Sequence, residues 1–241
     1  MKVLGVIPAR FASSRFPGKP LIDLKGKSMI QRVYEGASMS KRIDKVIVAT
    51  DDQRIYKHVQ DFGGEVEMTD NNHKTGTERC GEILCKYDNY DVLINIQGDE
   101  PLVSPVQLNT LIDLFDNKSV NIGTLGIKGM TYAESKDPNR IKIVLNHLNE
   151  AIYFSRSVIP FNQKDEDIGE YFRHIGLYAF RTEVLKELVT LSSVAIEKAE
   201  SLEQLRWLYF GYKINIALTN IETPNIDVPE DVNTVLKLIS D

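Results

Sequence analysis

Cysteine is scarce in this chain. Its 241 residues hold two, Cys80 and Cys85, in an apolar-periodic stretch with no second pair. That excludes a disulfide framework and a zinc cage, and two buried thiols are expected. Long hydrophobic runs are missing as well. The opening Val3-Leu4-Gly5-Val6-Ile7 is cut off by Pro8 and Arg10, far short of a signal-peptide core or a membrane span, so no membrane partner and a cytoplasmic setting are expected. There is no excess of positive charge either. A net charge of −5 at pH 7 disfavours nucleic acid as a partner, because such binding needs a basic surface to neutralise phosphates; any phosphate site has to be local. Repeats and low-complexity segments are lacking, and the densest charge run, Lys164-Asp165-Glu166-Asp167, reads as a solvated loop.

What remains is the profile of a soluble globular protein, 42% hydrophobic and 26% charged, of a length that suits one large α/β domain spanning residues 1–241. Apolar runs rich in Val and Ile recur at 3–7, 46–49, 92–96, 122–125 and 141–145, with amphipathic stretches between the first few. That alternation implies βαβ units, and the continuous apolar character of 3–7 and 92–96 implies parallel strands covered on both faces. Helices are expected at 29–38, 53–62, 78–87, 107–115, 182–189 and 202–210, and after Pro229. Beyond residue 125 the alternation lapses, and 151–154, 175–180 and 214–218 read as strands. The expected fold is a doubly wound, mostly parallel α/β sheet with a smaller mixed-sheet embellishment in the second half.

Directly after the first strand comes Pro8-Ala9-Arg10-Phe11-Ala12-Ser13-Ser14-Arg15-Phe16-Pro17-Gly18-Lys19-Pro20-Leu21. Open α/β sheets bind ligands at the carboxyl ends of their strands. Three fixed cations, hydroxyls and a glycine that permits close backbone approach suit a triphosphate. The loop is not a Walker A motif, because Ser13 stands where the first glycine belongs and Pro20 where the magnesium-binding hydroxyl belongs. It also lacks the Rossmann glycines, and a stiffened basic surface loop is the alternative. Asp99 follows the strand at 92–96 and so reaches the same sheet edge, which makes it the first candidate ligand for a magnesium ion that bridges carboxylate and phosphate oxygens. On local pattern Asp227, just ahead of Pro229, reads as a helix N-cap. Thr77 with Glu78 reads as a helix start, His174 as an ordinary, partly buried histidine, and Glu203 as an exposed position on a helix that also carries Glu197 and Glu200.

The basic loop resembles the signature of sugar-activating nucleotidyltransferases, and its spelling is similar to that of the 3-deoxy-D-manno-octulosonate (Kdo) cytidylyltransferases. The likeness runs on through Ala49-Thr50-Asp51, His73-Lys74-Thr75-Gly76-Thr77-Glu78-Arg79, Asn95-Ile96-Gln97-Gly98-Asp99-Glu100-Pro101, Tyr153-Phe154-Ser155-Arg156, Arg173-His174-Ile175-Gly176, Glu200-Ser201-Leu202-Glu203-Gln204-Leu205-Arg206 and Asp227-Val228-Pro229-Glu230-Asp231. The resemblance implies transfer of CMP from CTP to Kdo with release of pyrophosphate, in supply of lipopolysaccharide synthesis, by a homodimer that uses Mg2+.

By that resemblance Lys19, Asp99 and Asp227 are catalytic, and the two aspartates hold the metal. Nucleotide binding falls to Pro8, Ala9, Arg10, Ser14, Arg15, Lys19, Thr75, Thr77, Arg79 and Gln97. Gln97 also meets the sugar, together with Arg156, His174, Tyr178, Glu203 and Gln204. Residues 126–220 then contain the sugar-binding and dimerisation subregion. Val228 departs from the family's usual threonine, so any hydroxyl contact there is lost. Three rivals stand beside this reading. One is a cytidylyltransferase for sialic acid or methylerythritol phosphate. The second is a glycosyltransferase using Asp165-Glu166-Asp167 as its Asp-X-Asp, and the third is a nucleotide sensor without catalysis.

Overall fold

The computed structural model describes residues 1–12, 16–163 and 171–239. In chain order these form β1 (Val3–Ala9), a 3-10 turn (Lys19–Leu21), β2 (Asp23–Leu24), β3 (Lys27–Ser28), α1 (Met29–Ser38), β4 (Lys45–Thr50), α2 (Gln53–Asp61), β5 (Val66–Met68), α3 (Gly76–Lys86), β6 (Val92–Asn95) and α4 (Pro105–Asp113). Then follow β7 (Ile122–Met130), α5 (Tyr132–Ser135), β8 (Lys142–Leu145), β9 (Ala151–Ser155), β10 (Tyr171–Arg181), α6 (Thr182–Leu188), α7 (Ala195–Glu200), α8 (Gln204–Tyr209), β11 (Ile214–Thr219) and α9 (Asp231–Leu238). Two compact units emerge, one from Met1–Asn109 with Glu222–Asp241 and one from Thr110–Ile221.

In the first unit β1 is parallel to β4 on one side and to β6 on the other, and β4 is parallel to β5. The buried Val, Leu and Ile side chains of β1, β4 and β6 explain the unbroken apolar runs, since both faces of these strands are covered. With β1 flanked by β4 and β6, the chain reverses its winding there, and in such sheets that point carries the ligand cleft. Helix starts are set by side-chain caps: Ser28 accepts from the backbone N of Gln31, Asp52 from that of Arg54 and Thr75 from that of Glu78. The last helix belongs to this unit too. Ile226, Val235 and Ile239 bury against Leu24 and Met29, and each such side chain contributes about 1.5–3 kcal/mol. That anchors the loop that carries Asp227.

The second unit has mixed pairing, as the lapse of alternation implies. β7 runs antiparallel to β10 and parallel to β11, while β8 pairs antiparallel with both β10 and β9. Trp207 of α8 meets Tyr178 and Phe180 of β10 edge-on, with ring centroids 5.1 and 5.2 Å apart.

Three expectations need correction. Cys85 is exposed while Cys80 is buried, because five positions along a helix do not return to the same face. Glu203 does not share a helix with Glu197 and Glu200, since α7 ends at Ser201 in the left-handed region (φ 50°) and α8 begins only at Gln204. Asp227 is not a helix N-cap, for that position belongs to Glu230. The sequence reading also passed over β5, whose three residues are all half-buried and carry no apolar run. Among the described residues, no helix is long and apolar enough to cross a membrane.

Candidate active site

The site in the first unit is built where β1 and β6 end side by side. Their pairing runs to Val6 opposite Asn95 and continues with the Ile96 backbone N donating to Val6 O at 2.8 Å. Pro8-Ala9-Arg10 and Gln97-Gly98-Asp99 therefore leave the same sheet edge together. At Gly98 the approach is so close that a Cβ atom would stand 2.7 Å from the Pro8 carbonyl oxygen, which only glycine avoids. Gly18, at φ 73°, caps the 3-10 turn and donates to Phe11 O at 3.0 Å, folding the basic loop back so that Lys19 reaches inward.

Lys19 Nζ donates to Asp99 Oδ2 at 2.9 Å and to Ile226 O at 2.7 Å, and it lies 3.9 Å from Asp227 Oδ1. Residues 128 positions apart in sequence are thus held around one ammonium group. The two segments are also joined directly, as Ile226 N donates to Asp99 O at 2.9 Å. Asp227 is fixed by Asn225 Nδ2 at 2.6 Å, while Asp231 Oδ2 accepts from the backbone N of Asp227 and of Val228 at 2.8 and 3.0 Å. The turn at Val228 is thus held through its backbone, without need of a hydroxyl.

Lys19 and Asp99 border a cleft of about 630 Å³, within the usual range for small-molecule sites. Pro8, Ala9, Arg10, Lys19, Gln97 and Asp99 line it, and so does Lys74, which the sequence reading did not single out although it stands inside the His73–Arg79 motif. Arg10 donates to the His73 carbonyl oxygen. Burial, and then the charge of Arg79, lower its pKa, so an arriving anion would relieve an unfavourable environment for that cation.

Not every candidate faces the cleft. Thr75 caps α3, and Thr77 is buried. Arg79 is fully buried, with Nη2 donating to Asp51 Oδ2 at 2.7 Å and Nη1 to Thr69 Oγ1. It braces the ends of β4 and α3 from within. Because removing Arg79 leaves the half-buried Asp51 carboxylate without this partner, Arg79→Met is expected to lower stability by about 3 kcal/mol. Urea unfolding measures this, and a loss below about 1 kcal/mol would show that the pair behaves like a surface contact. Ser14 and Arg15, like Asp165-Glu166-Asp167, lie outside the described residues.

The second unit carries the other candidates. His174 Nε2 lies 3.0 Å from Thr124 Oγ1, and its ring sits between Phe154 and Tyr178, with centroids at 5.1 and 5.2 Å. Burial first, and then the Arg173 charge, push its pKa down to about 3, so the imidazole is neutral at physiological pH. Burial likewise raises the Tyr178 pKa. Gln204 is buried and its Nε2 has no hydrogen-bond partner, an amide left available for a ligand oxygen. Glu203 stands at the N-cap of α8. Arg156 follows β9, and its Nε and Nη1 donate to the carbonyl oxygens of Glu200 and Pro138 at 2.7 and 3.0 Å.

A hard divalent cation fits the first unit's donor set. Two carboxylates and a backbone carbonyl converge on one cationic group, the Lys19 ammonium, and oxygen donors with few protein ligands are what magnesium takes when phosphates complete its shell. Among the described residues no cluster of three or more His, Cys, Asp or Glu side chains forms a closed metal cage.

Comparison with known proteins agrees with this geometry. The sequence profile of the family described as Cytidylyltransferase matches residues 4–215. The chain is 48% identical over 250 residues to a 3-deoxy-manno-octulosonate cytidylyltransferase of Parabacteroides distasonis, covering 100% of this chain and 99% of the relative. It is 43% identical over 237 residues to an 8-amino-3,8-dideoxy-manno-octulosonate cytidylyltransferase of Shewanella pealeana, with 96% of each chain covered. A CMP:2-keto-3-deoxy-manno-octonic acid synthetase, solved in complex with CTP, superimposes with a TM-score of 0.94 at 41% identity, over 99% of this chain and 98% of that one. With a sheet-edge cleft lined by cations and a carboxylate, and with relatives matched over nearly their whole length, this chain belongs to the cytidylyltransferase family, among the 3-deoxy-manno-octulosonate cytidylyltransferases.

Proposed function

We propose that this protein transfers CMP from CTP to the anomeric hydroxyl of Kdo, giving CMP-Kdo and pyrophosphate. The observation that carries the reading is the convergence of Asp99 and Asp227 on Lys19, with Lys19 and Asp99 lining a cleft that also presents Arg10 and Lys74. Nucleotidyl transfer needs the triphosphate charge matched at close range and a reactive α-phosphorus. Arg10, Lys19 and Lys74 supply the first, and Gln97, beside Asp99, orients the nucleoside. Asp99 and Asp227 would hold Mg2+, which polarises the phosphate oxygens and neutralises the charge that develops on pyrophosphate. The sugar hydroxyl attacks the α-phosphorus in line with the departing pyrophosphate, without a covalent enzyme intermediate. Holding the reactants in attack geometry contributes on the order of 7–11 kcal/mol.

On the sugar side, Arg156 meets the carboxylate of the octulosonate, while neutral His174, Tyr178 and Gln204 meet its hydroxyls; Glu203 accompanies them. Neutral imidazole and amide groups suit hydroxyl recognition because they donate and accept without carrying charge. The reading includes a homodimer, carried by the family resemblance, working in the cytoplasm. A second sugar is favoured by one observation, the relative from Shewanella pealeana that is named for the 8-amino compound.

Pyrophosphate release with CTP and Mg2+ tests the proposal in parallel reactions with Kdo, its 8-amino-8-deoxy analogue, N-acetylneuraminate and no sugar. Release with Kdo at a kcat/KM at least about tenfold above the other sugars is expected. Preference for the 8-amino compound would replace the substrate, preference for N-acetylneuraminate would overturn the sugar side, and no release with any sugar would overturn the activity.

A further inference from the structure

Arg156 is held unusually completely, and by neutral groups. Its Nε donates to Glu200 O at 2.7 Å and its Nη1 to Pro138 O at 3.0 Å, with a longer approach of Nη2 to Ser201 O at 3.5 Å. None of these acceptors is a carboxylate, so three carbonyls aim the guanidinium and no ion pair ties it among the described residues. Its backbone is fixed as well. The Glu200 carboxylate accepts from Arg156 N through Oε2 at 2.9 Å and from Ser155 Oγ through Oε1 at 2.6 Å. The wholly buried Lys142 donates to the carbonyl oxygens of Arg156 and of Asp137, the latter at 3.0 Å.

We infer that Glu200 is a positioning residue for the sugar carboxylate, acting through Arg156. The inference rests on the proposed role of Arg156. Both oxygens of Glu200 are spent on the end of β9, and its own carbonyl takes the guanidinium Nε. One residue at the end of α7 therefore sets both the backbone and the side-chain direction of Arg156. Ser201, in the left-handed region at φ 50°, ends α7 there, which frees the carbonyls of Glu200 and Ser201 from helical bonding and turns them to the guanidinium. A carboxylate on the side chain of Arg156 would neutralise the charge a substrate anion has to meet. Here the acid bonds the Arg156 backbone N and the Ser155 hydroxyl instead, and neutral oxygens do the aiming.

Steady-state kinetics on the full chain, with Mg2+ and saturating CTP, test this with Glu200→Gln, Arg156→Lys and the double variant, alongside direct titration of CTP. Glutamine keeps the shape but presents an amide NH2 to a donor that needs an acceptor. Loss of a hydrogen bond to a charged group predicts a KM for Kdo raised about tenfold or more, with kcat and CTP affinity within about twofold of wild type. The double variant should be no worse than Arg156→Lys alone, because both act on one contact. An unchanged KM in Glu200→Gln, with Arg156→Lys impaired, overturns the positioning role. So does a parallel loss of kcat, CTP affinity and Kdo affinity, which would mark a merely structural acid. An unchanged KM in Arg156→Lys overturns the sugar-side reading itself. Should Glu200→Gln fold poorly, Glu200→Asp, which keeps the charge but falls short of one of its two donors, is read by the same split.

Discussion

Asp99→Asn is expected to lower kcat about 10³-fold, corresponding to roughly 4 kcal/mol of transition-state stabilisation, while leaving the melting temperature within a few degrees of wild type. The fold survives because what joins this segment to the Asp227 loop is main chain: Ile226 N donates to Asp99 O at 2.9 Å, and Lys19 donates to Ile226 O at 2.7 Å. The asparagine side chain is isosteric and still offers one oxygen to Lys19. What disappears is a full negative charge where the proposed metal sits, and an amide oxygen is a far weaker ligand for magnesium than a carboxylate. Coupled pyrophosphate release gives the rate and a thermal melt gives the stability. Turnover within about tenfold of wild type would remove Asp99 from the metal. A collapsed melting temperature would instead show that the charge holds the fold.

Lys19→Met is expected to lower kcat/KM for CTP by at least about 10²-fold, and it has a second signature that needs no turnover. The Lys19 ammonium stands 2.9 Å from Asp99 and 3.9 Å from Asp227, so it offsets the charge of the two groups proposed to hold the metal. Methionine keeps most of the side-chain volume and removes that charge. The two carboxylates then lose the cation they share, which destabilises the protein and strengthens the site for a divalent cation. Mg2+ added without CTP should therefore raise the melting temperature of Lys19→Met by several degrees more than that of wild type, through preferential binding to the folded state. Equal shifts in the two proteins would show that Asp99 and Asp227 do not form a cation site together.

Much of this molecule could be read along the chain because its signals are local. β1 and β6 announce themselves as unbroken apolar runs, since parallel strands covered on both faces have no polar face to show. The helix at Met29–Ser38 was located to the residue, because Ser28 caps it and its apolar spacing is clear. Arg10, Lys19 and Asp99 were legible from the segments that follow those strands. β5 was missed because three half-buried residues leave no pattern, and α7 because its six residues bury no side chain. Lys74 was passed over because nothing in its neighbourhood of sequence marks which lysine turns toward the cleft.

Arg79 shows the limit of motif reading most sharply. It stands in a segment that resembles a nucleotide-binding motif, yet its guanidinium is turned inward to Asp51 and Thr69. Asp227 shows the reverse: its local pattern suggested a cap, and only the return of α9 to the first unit carried it to Lys19. The sequence by itself determined the α/β class, the order of most elements, the basic loop and the family, because composition, periodicity and motif order are properties of the chain read in line. Tertiary structure decided which charges meet. Lys19 is held between two aspartates, and Arg156 is aimed by carbonyls of Pro138, Glu200 and Ser201. Contacts between residues far apart in sequence depend on how buried apolar surfaces bring distant segments together, and no short stretch of the chain records that.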